Sequence, residues 1–315
     1  MPILAVAVPS SMFYWPYLLS AALLAIAAYV FARRRTAFSF SGMMRAALNK
    51  RIWLSRSALA DYRFFLINGF CFPLVSAPLA IGGAGLGLAI AAGLESTFGA
   101  IDEPVMGPLA IKVAYTLTFF VLYDFGHFLA HYAMHRSRIL WEFHKVHHSA
   151  EVLNPATRGR LHPVDLWLFA STKNVGGAIA TGIFFYIGAG EVGFYSLLGA
   201  HVLVAVYQLI GQLRHTHVWI SYGRLGYLLI SPPQHQIHHS SEPRHWDCNC
   251  GYGLAIWDWM FGCLYVPRER ETFRMGLNDG DEASWHKVSA MYVKPIIGAA
   301  QIIRRWLPGG AATPS

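Results

Sequence analysis

The chain has 315 residues, of which 55% are hydrophobic and only 13% are charged, and its mean hydropathy is +0.37. A soluble globular protein averages about 25% charged residues, so too few charges remain here to cover a water-facing surface. This composition indicates an integral membrane protein. It excludes a disordered chain, a coiled coil and a secreted disulfide scaffold.

The first predicted element is an apolar span at residues 12–31, which leads to three consecutive arginines at 33–35. Because the basic residues follow the apolar run, we expect a retained anchor with its N-terminus outside rather than a cleaved signal peptide. Residues 33–63 carry eight Lys or Arg against one acid and give much of the net charge of +8. Apolar segments flank this stretch, so attraction to an anionic cytoplasmic leaflet explains it better than nucleic-acid binding.

Further apolar segments follow along the chain. Residues 64–94 contain no charged residue and no His, and their prolines and glycines predict either one long kinked span or a span plus a re-entrant turn. An acidic loop at 95–108 leads to a span at 109–126, and residues 166–187 and 192–210 form an apolar pair. Counting these crossings places every basic segment and every histidine cluster on the cytoplasmic side.

Fifteen histidines exceed the usual share of roughly 2–3%, and most of them are clustered. His131 and His135 are four apart in a segment that continues a helix, so both rings lie on one face. An H-x-x-H-H motif follows at 144–148 and recurs at 235–239. Spacings of three and four place the histidines of each motif on one side of a helix.

Metal coordination explains these clusters better than separate core histidines do. Imidazoles that are protonated near a membrane are costly to desolvate and repel one another, whereas a metal binds the neutral ring. Eight or nine imidazoles suit two metal ions, each with four or five nitrogens, and imidazole binds Fe, Zn, Cu and Ni alike. The residues alone therefore leave open a membrane metal transporter or a zinc hydrolase. The transporter is disfavoured because the motifs lie after the spans rather than within them. The hydrolase is disfavoured because the chain lacks the glutamate of an H-E-x-x-H motif.

The three histidine motifs, in this order and spacing, resemble the fatty acid hydroxylase/sterol desaturase superfamily. The nine-residue step from His135 to His144 and the W-D-W-M-F-G run at 257–262 strengthen the resemblance, which covers residues 120–270. It implies a membrane-bound non-haem di-iron oxidoreductase, with two iron ions, that uses O₂ and two external electrons. Such an enzyme hydroxylates or desaturates a lipid (fatty acyl, sterol or related) at the cytoplasmic face.

Ligand positions are carried over from this resemblance residue by residue. Eight histidines match the three motifs directly, His215 matches a looser family position, and His162 belongs to a His-Pro pair that many members have. His127 also lies four residues before His131, but the family spacing favours His131 and His135 as the ligand pair. No catalytic residue beyond the metal ligands is predicted. The predicted ligands are His131, His135, His144, His147, His148, His162, His215, His235, His238 and His239.

Three aspartates and two cysteines lie near the histidine motifs. Asp124, Asp247 and Asp258 are candidates to orient ligand imidazoles through hydrogen bonds. Two positions depart from the family pattern: Cys250 stands where an aromatic residue is usual, and Cys263 stands where Thr is usual. Both lie outside the histidine motifs, so they bear on the subfamily and the substrate rather than on the metal ligands.

We therefore predict an all-α integral membrane protein with about 4–5 transmembrane helices and a cytoplasmic helical cap that holds a His-rich di-metal site. Residues 1–108 form the anchor spans and basic loop, 109–270 the catalytic domain, and 271–315 an interfacial helix at Tyr292–Leu307 and a tail. The chain has no haem-attachment or flavin motif, so we expect an external electron donor, ferredoxin-like or cytochrome b5-like with its reductase. We expect a multi-pass protein of a bacterial inner membrane, with a lipid substrate and no nucleic-acid partner.

Overall fold

The computed structural model describes residues 14–32, 39–71, 74, 80–193, 196–197 and 200–307. Within these residues the secondary structure is helical except for two short strands, which confirms the predicted helical fold. The strands β1 (Ser196–Leu197) and β2 (Ala200–His201) pair antiparallel, with Leu197 opposite Ala200. The α-helices are α1 (Trp15–Ala32), α2 (Phe40–Ala47), α3 (Lys50–Trp53), α4 (Arg56–Cys71), α5 (Gly83–Phe98), α6 (Pro108–Arg136), α7 (Arg138–His148), α8 (Pro163–Ile187), α9 (Val202–Arg214), α10 (Pro232–His238), α11 (Ile256–Met260) and α12 (Val288–Trp306). Short 3₁₀ segments lie at Pro155–Gly159, Gly223–Tyr227, Pro243–His245 and Glu282–His286.

The helix bounds differ from the predicted spans in two places. The apolar run at 64–94 is divided between α4, which begins earlier at Arg56, and α5. The run at 192–210 contains the two strands, and α9 begins only at Val202. The first histidine pair lies where the sequence places it, because α6 continues without a break to Arg136.

Helices α5, α6 and α8 pack side by side, and glycines allow α6 and α8 to approach closely. A Cβ atom on Gly176 of α8 would lie 2.2 Å from the carbonyl oxygen of Leu122 in α6. A Cβ on Gly126 of α6 would lie 2.4 Å from the carbonyl oxygen of Thr172 in α8. Small residues at a helix crossing permit this backbone contact. The contact holds the histidine-bearing end of α6 against the first half of α8.

Among the described residues, α6 is the one helix that is long and apolar enough to cross a membrane. Leu109, Val113, Leu117 and Val121 recur at four-residue spacing along α6, and all four are exposed. Residues at this spacing lie on one face, so they form an apolar stripe. A stripe of this kind marks a surface for lipid or for another apolar partner. The larger number of transmembrane helices stays a prediction.

A buried ion pair joins α4 to the segment that follows α7, the helix that carries the H-x-x-H-H motif at 144–148. The guanidinium of Arg160 donates from Nη1 to Oδ1 of Asp61 in α4 at 2.8 Å, and both side chains are completely buried. Arg160 also donates to the carbonyl oxygens of Val146 in α7 and Trp285, each at 2.8 Å. One side chain therefore links α4, α7 and the segment before α12.

The C-terminal helix packs against α7. It begins at Val288 rather than at the predicted Tyr292, and it contains Pro295 in its interior. Ile296, Ile297 and Trp306 are exposed, whereas Met291 is completely buried. The helix thus has one face on the protein and one apolar face directed outward, which is the pattern of an interfacial helix.

Candidate metal centre

Nine of the ten predicted ligands lie in two adjacent groups of imidazoles. In each group, one nitrogen from every ring lies within 4.8 Å of the others. The five-histidine group consists of His131, His135, His144, His148 and His238. The four-histidine group consists of His147, His215, His235 and His239, all of them buried.

Helix geometry explains why each H-x-x-H-H motif contributes to both groups. At about 100° of turn per residue, His148 lies roughly 40° from His144 around α7, whereas His147 lies roughly 60° away on the other side. His144 and His148 therefore reach the five-histidine group, and His147 reaches the four-histidine group. The H-x-x-H-H motif at 235–239 divides in the opposite sense. His238 joins the five-histidine group, whereas His235 and His239 join the four-histidine group. The sequence analysis placed the histidines of each motif on one side of a helix. The structure divides the histidines of each motif between the two groups.

Hydrogen bonds fix which nitrogen faces the centre of the five-histidine group. Nδ1 of His131 donates to the carbonyl oxygen of Cys250 at 2.6 Å, and Nδ1 of His238 donates to the carbonyl oxygen of Cys248 at 2.6 Å. A neutral imidazole carries one proton, so Nε2 of each ring is left with a lone pair. These two Nε2 atoms lie 3.0 Å apart. Two facing lone pairs repel, and a cation between them removes the repulsion.

The spacing of the nitrogens also fits a metal ion. Nε2 of His131 lies 3.0 Å from Nε2 of His144 as well as from that of His238. Two nitrogens at about 2.0–2.1 Å from one ion and at right angles are about 3.0 Å apart. Nε2 of His135 and of His148 are buried and have no hydrogen-bond partner. These orphaned acceptors are the kind of atoms that a metal ion would satisfy.

The four-histidine group has a different set of contacts. Nδ1 of His147 donates to the carbonyl oxygen of Arg160 at 3.3 Å, and Nδ1 of His215 donates to that of Gly211 at 3.4 Å. Nη2 of Arg214, which is 1% exposed, donates to Nδ1 of His235 at 2.6 Å. Without a metal, His235 then carries its proton on Nε2 and donates it to Nε2 of His215, 3.0 Å away. Nε2 of His235 can bind a metal only if this proton leaves the ring, or if Arg214 moves away so that the proton can shift to Nδ1.

Burial keeps these imidazoles neutral. Desolvation and the neighbouring imidazoles hold the pKa values of His148 and His239 well below the usual 6.5. For His147, desolvation outweighs the carbonyl of Arg160 and lowers the pKa to about 3. Neutral imidazole is the form that binds metals, so the site is ready for a cation without first losing protons from most rings.

Two carboxylates orient ligand rings, and one of them was missed in the sequence. Oδ1 of Asp247 accepts from Nδ1 of His135 at 3.2 Å, as expected for one of the three candidate aspartates. Oδ2 of Asp165 lies 3.4 Å from Nδ1 of His144 and is completely buried. Its signal was an acid two residues after the His162-Pro163 pair, at the first turn of α8. Because an acid there is also ordinary helix chemistry, the signal is weak.

The other two candidate aspartates hold loops rather than imidazoles. Asp124 accepts from the backbone N–H groups of Gly253 and Leu254, at 2.9 and 3.0 Å, and from Nε1 of Trp257 at 3.0 Å. Asp258 accepts from the N–H of Gly251 at 2.9 Å. Both therefore act on the 250–257 segment, whose carbonyl at Cys250 supports His131.

Two histidines near the motifs lie outside both groups. His162, the tenth predicted ligand, accepts from the N–H of Val164 through Nδ1 at 3.2 Å and thereby begins α8 as its N-terminal cap. Its ring lies 4.9 Å from that of Phe143, away from the ligand nitrogens. The ring of His127 is stacked at 4.2 Å on Phe169 and lies 6.0 Å from His131. The structure thus places His127 next to the five-histidine group but outside both groups.

A cavity of about 420 Å³ opens onto the five-histidine group. His135, His148 and His238 line it together with Trp141 and Asp247. None of the four-histidine ligands lines this cavity. The two groups therefore differ in access, since the five-histidine group has a route to the outside and the four-histidine group is enclosed on this side.

Comparisons with known proteins identify the same region. Residues 116–263 match the fatty acid hydroxylase family. This stretch contains every member of both histidine groups. No solved structure is significantly similar to the chain.

Among curated proteins, the chain is 31% identical over 179 residues to the ornithine lipid hydroxylase OlsE of Rhizobium tropici, which covers 55% of this chain and 48% of that protein. It is 30% identical over 158 residues to the alkylglycerol monooxygenase of Xenopus tropicalis, covering 49% of this chain and 31% of that protein. The human alkylglycerol monooxygenase is 26% identical over 160 residues. The matched part spans half or less of the length of these relatives.

Proposed function

We propose that the protein is a membrane-bound non-haem di-iron oxidoreductase that uses O₂ to hydroxylate a lipid. The match of residues 116–263 to the fatty acid hydroxylase family supports this proposal. The observation that carries the proposal is the pair of adjacent imidazole groups with converging nitrogens. Two iron ions held there would supply the activation of O₂ and the cleavage of an unactivated C–H bond. The ten-residue ligand set of the sequence analysis is reduced in this proposal to the nine grouped histidines.

The chain's own residues hold and orient this centre. The carbonyls of Cys248 and Cys250 fix the ring orientation of His238 and His131, and they keep Nε2 of both rings free of a proton. Asp247 accepts from Nδ1 of His135 in the same way, and Asp165 lies beside Nδ1 of His144 at 3.4 Å. Partners of this kind raise ligand basicity and prevent ring rotation. Burial of the four-histidine group excludes water on that side, which protects a reactive centre from side reactions.

Hydroxylation is the better-supported outcome of the two that the sequence left open. The names of the relatives specify a hydroxylase and a monooxygenase, and the substrates in those names are an ornithine lipid and an alkylglycerol. Both are polar lipids, so we take a polar membrane lipid as the substrate class. The electrons come from an external donor, ferredoxin-like or cytochrome b5-like with a reductase.

The apolar surface supports placement in a membrane. The stripe on α6 ends at Val121, ten residues or about 15 Å along the helix before His131, so the five-histidine group lies beyond the end of this apolar surface. We place α6 across the bilayer and α12 at its interface, with the histidine groups on the cytoplasmic side of a bacterial inner membrane. We also propose the division of the chain into three domains: the anchor spans and basic loop at 1–108, the catalytic domain at 109–270, and the interfacial helix and tail at 271–315. Reporter fusions at residues 50 and 310 should both read cytoplasmic, and one at Ile101 should read the opposite side.

The test is oxygen insertion by the purified full chain. The protein, reconstituted in lipid with iron and a ferredoxin–reductase pair, is given ¹⁸O₂ with ornithine lipid or alkylglycerol, and products are analysed by mass spectrometry. We expect a product with one ¹⁸O atom, absent without O₂ and absent in His238→Ala. A lipid that loses two hydrogens and gains no label would indicate desaturation and contradict the hydroxylase proposal. Turnover without O₂ and with zinc would indicate a hydrolase instead. Uptake of metal into vesicles without any lipid product would indicate a transporter.

A further inference from the structure

The two departures from the family pattern meet in space. Cys250 and Cys263 lie thirteen residues apart in the sequence, yet their sulfur atoms and a carboxylate oxygen of Asp258 all lie within 4.8 Å of one another. Cys250 and Asp258 are completely buried, and Cys263 is 7% exposed. Both cysteines are free thiols. Neither takes part in the metal groups through its side chain.

Backbone contacts hold the segments that contain the two cysteines side by side. The N–H of Asn249 donates to the carbonyl oxygen of Cys263 at 2.9 Å. The side chain of Asn249 accepts from the N–H of Tyr265 at 2.8 Å and donates to the carbonyl oxygen of Gln234 at 3.0 Å. Asn249 itself adopts a left-handed φ of 58°. A loop held at so many points has little freedom, so a change at Cys250 moves its backbone as well.

The carboxylate supplies the chemistry that a thiol pair needs. Sγ of Cys263 donates to Oδ1 of Asp258 at 3.2 Å, so Asp258 is placed to accept the Cys263 proton. Burial outweighs the hydrogen bonds to this carboxylate and raises the pKa of Asp258 to about 6. A base with a pKa near the working pH is effective in proton transfer. Cys263 is the more exposed thiol, and Cys250 lies beside it as a resolving thiol.

We propose that Cys250 and Cys263 form a peroxide-sensitive dithiol whose oxidation to a disulfide releases metal from the five-histidine group. The Cys263 thiol gives its proton to Asp258 and attacks hydrogen peroxide, which forms a sulfenic acid and one water as the O–O bond breaks. The Cys250 thiol then attacks the sulfenic sulfur, which forms the S–S bond and a second water. Two thiols and one peroxide thus give one disulfide and two waters, and the two electrons lost by sulfur reduce the peroxide.

The connection to the metal centre runs through one carbonyl. Nδ1 of His131 donates to the carbonyl oxygen of Cys250 at 2.6 Å. A disulfide requires the sulfurs to approach to about 2.05 Å, and the Cys250 backbone is drawn toward Cys263 as they do so. The carbonyl then leaves its position beside His131, and the ring loses the contact that sets its orientation. Loss of such a partner typically weakens metal binding about 10–100-fold.

The test uses the full chain loaded with zinc, which binds imidazole but does not react with peroxide. The protein is treated with hydrogen peroxide, its free thiols are blocked with N-ethylmaleimide, and the digest is analysed by mass spectrometry beside a measurement of bound zinc. We expect a peptide that links Cys250 to Cys263, together with loss of zinc, in the wild type and in Cys248→Ser. Both effects should be absent in Cys250→Ser and in Cys263→Thr, and a thiol reductant with added zinc should restore the metal.

Three results would overturn the proposal. They are the absence of a Cys250–Cys263 link, a link that involves Cys71 or Cys248 instead, and a correct link with no loss of zinc. Cys263→Thr introduces the residue usual in the family, so a folded control is available even if Cys250→Ser fails to fold. The proposal depends on the function above only for the identity of the metal site. Because the test needs neither O₂ activation nor a lipid, its failure would leave the oxygenase proposal intact.

Discussion

The two histidine groups are built from the same motifs, yet their surroundings differ. The five-histidine group is held by two loop carbonyls and two aspartates, and it opens to a cavity. The four-histidine group is held by the carbonyl of Arg160 and contacted by Arg214, so cations surround it instead of carboxylates. Carboxylate partners make an imidazole a better donor to a metal, whereas a nearby guanidinium opposes the added positive charge. We therefore expect the five-histidine group to bind metal more tightly and to exchange it through the cavity, and we expect metal binding by the four-histidine group to depend on its burial.

The largest expected effect comes from removing one ligand from either group. His238→Ala and His239→Ala alter neighbouring residues of one motif, but they belong to different groups. We expect each variant to lose one of the two metals and all hydroxylation, since both metals act together. Metal content and product formation, measured side by side, check this. If either variant keeps full activity, its group is not part of the reaction centre.

The next effect acts on the support of the four-histidine group. Asp61→Asn leaves the buried guanidinium of Arg160 without its carboxylate, and breaking a buried ion pair typically costs about 3–5 kcal/mol. The carbonyl of Arg160 orients His147, so metal should be lost first from the four-histidine group. Thermal unfolding and metal analysis measure these effects. Unchanged stability would mean that the ion pair contributes little, and earlier loss of metal from the five-histidine group would contradict the comparison.

The metal-free protein should become less stable as the pH falls below 6.5. The pKa of His147 is lowered to about 3, so the unfolded chain takes up a proton near pH 6.5 while the folded chain does not. For this single residue, the loss amounts to roughly 2 kcal/mol at pH 5 and grows until the pH reaches the folded pKa. Bound metal should oppose the change. Unfolding measured from pH 7.5 to 5 with and without metal tests the prediction, and a metal-free protein of constant stability would contradict it.

The carboxylates of the five-histidine group should matter less than the ligands themselves. Asp247→Asn removes the charge beside His135 while keeping a similar shape, and Asp165→Asn replaces the buried carboxyl group beside His144 by an amide of similar shape. We expect each to lower metal affinity or turnover by about 10–100-fold. The matched pair separates an exposed partner from a buried one, since the Asp247 side chain is 41% exposed and that of Asp165 is 1% exposed. Equal effects would show that burial of the partner is unimportant.

The smallest effect is expected outside both groups. His162→Ala removes the side-chain cap of α8, and loss of such a cap typically costs about 1 kcal/mol. We expect the variant to keep its metals and most of its activity. Metal content is the deciding measurement, because a ligand role for His162 would lower it as strongly as His238→Ala does.

The sequence was most informative where local spacing determines the structure. His131 and His135 share a helix face because α6 is continuous, and the three motifs supplied eight of the nine grouped histidines, the ninth being His215. Division of the motifs between two groups depends on how α7 and α10 face each other, which no spacing within one motif records. The same holds for the aspartates. Asp247 lies beside His135, whereas Asp124 and Asp258 hold a loop, and all three look alike in sequence.

Long-range partners were the least predictable part. Arg160 and Asp61 are nearly a hundred residues apart and lie in segments that the sequence assigns to different domains. Cys250 and Cys263 were noticed only as departures from a pattern, and their proximity follows from the fold. Such pairs carry no periodic signal, because each residue alone is compatible with an exposed position.

The most direct test of the central claim is to locate iron in the folded protein. Crystals of the iron-loaded chain, measured on both sides of the iron absorption edge, would show anomalous scattering only where iron is bound. The account predicts one peak among the Nε2 atoms of His131, His144 and His238, and a second among those of His147, His215 and His239. A single peak, or a peak that lies away from both groups, would contradict it.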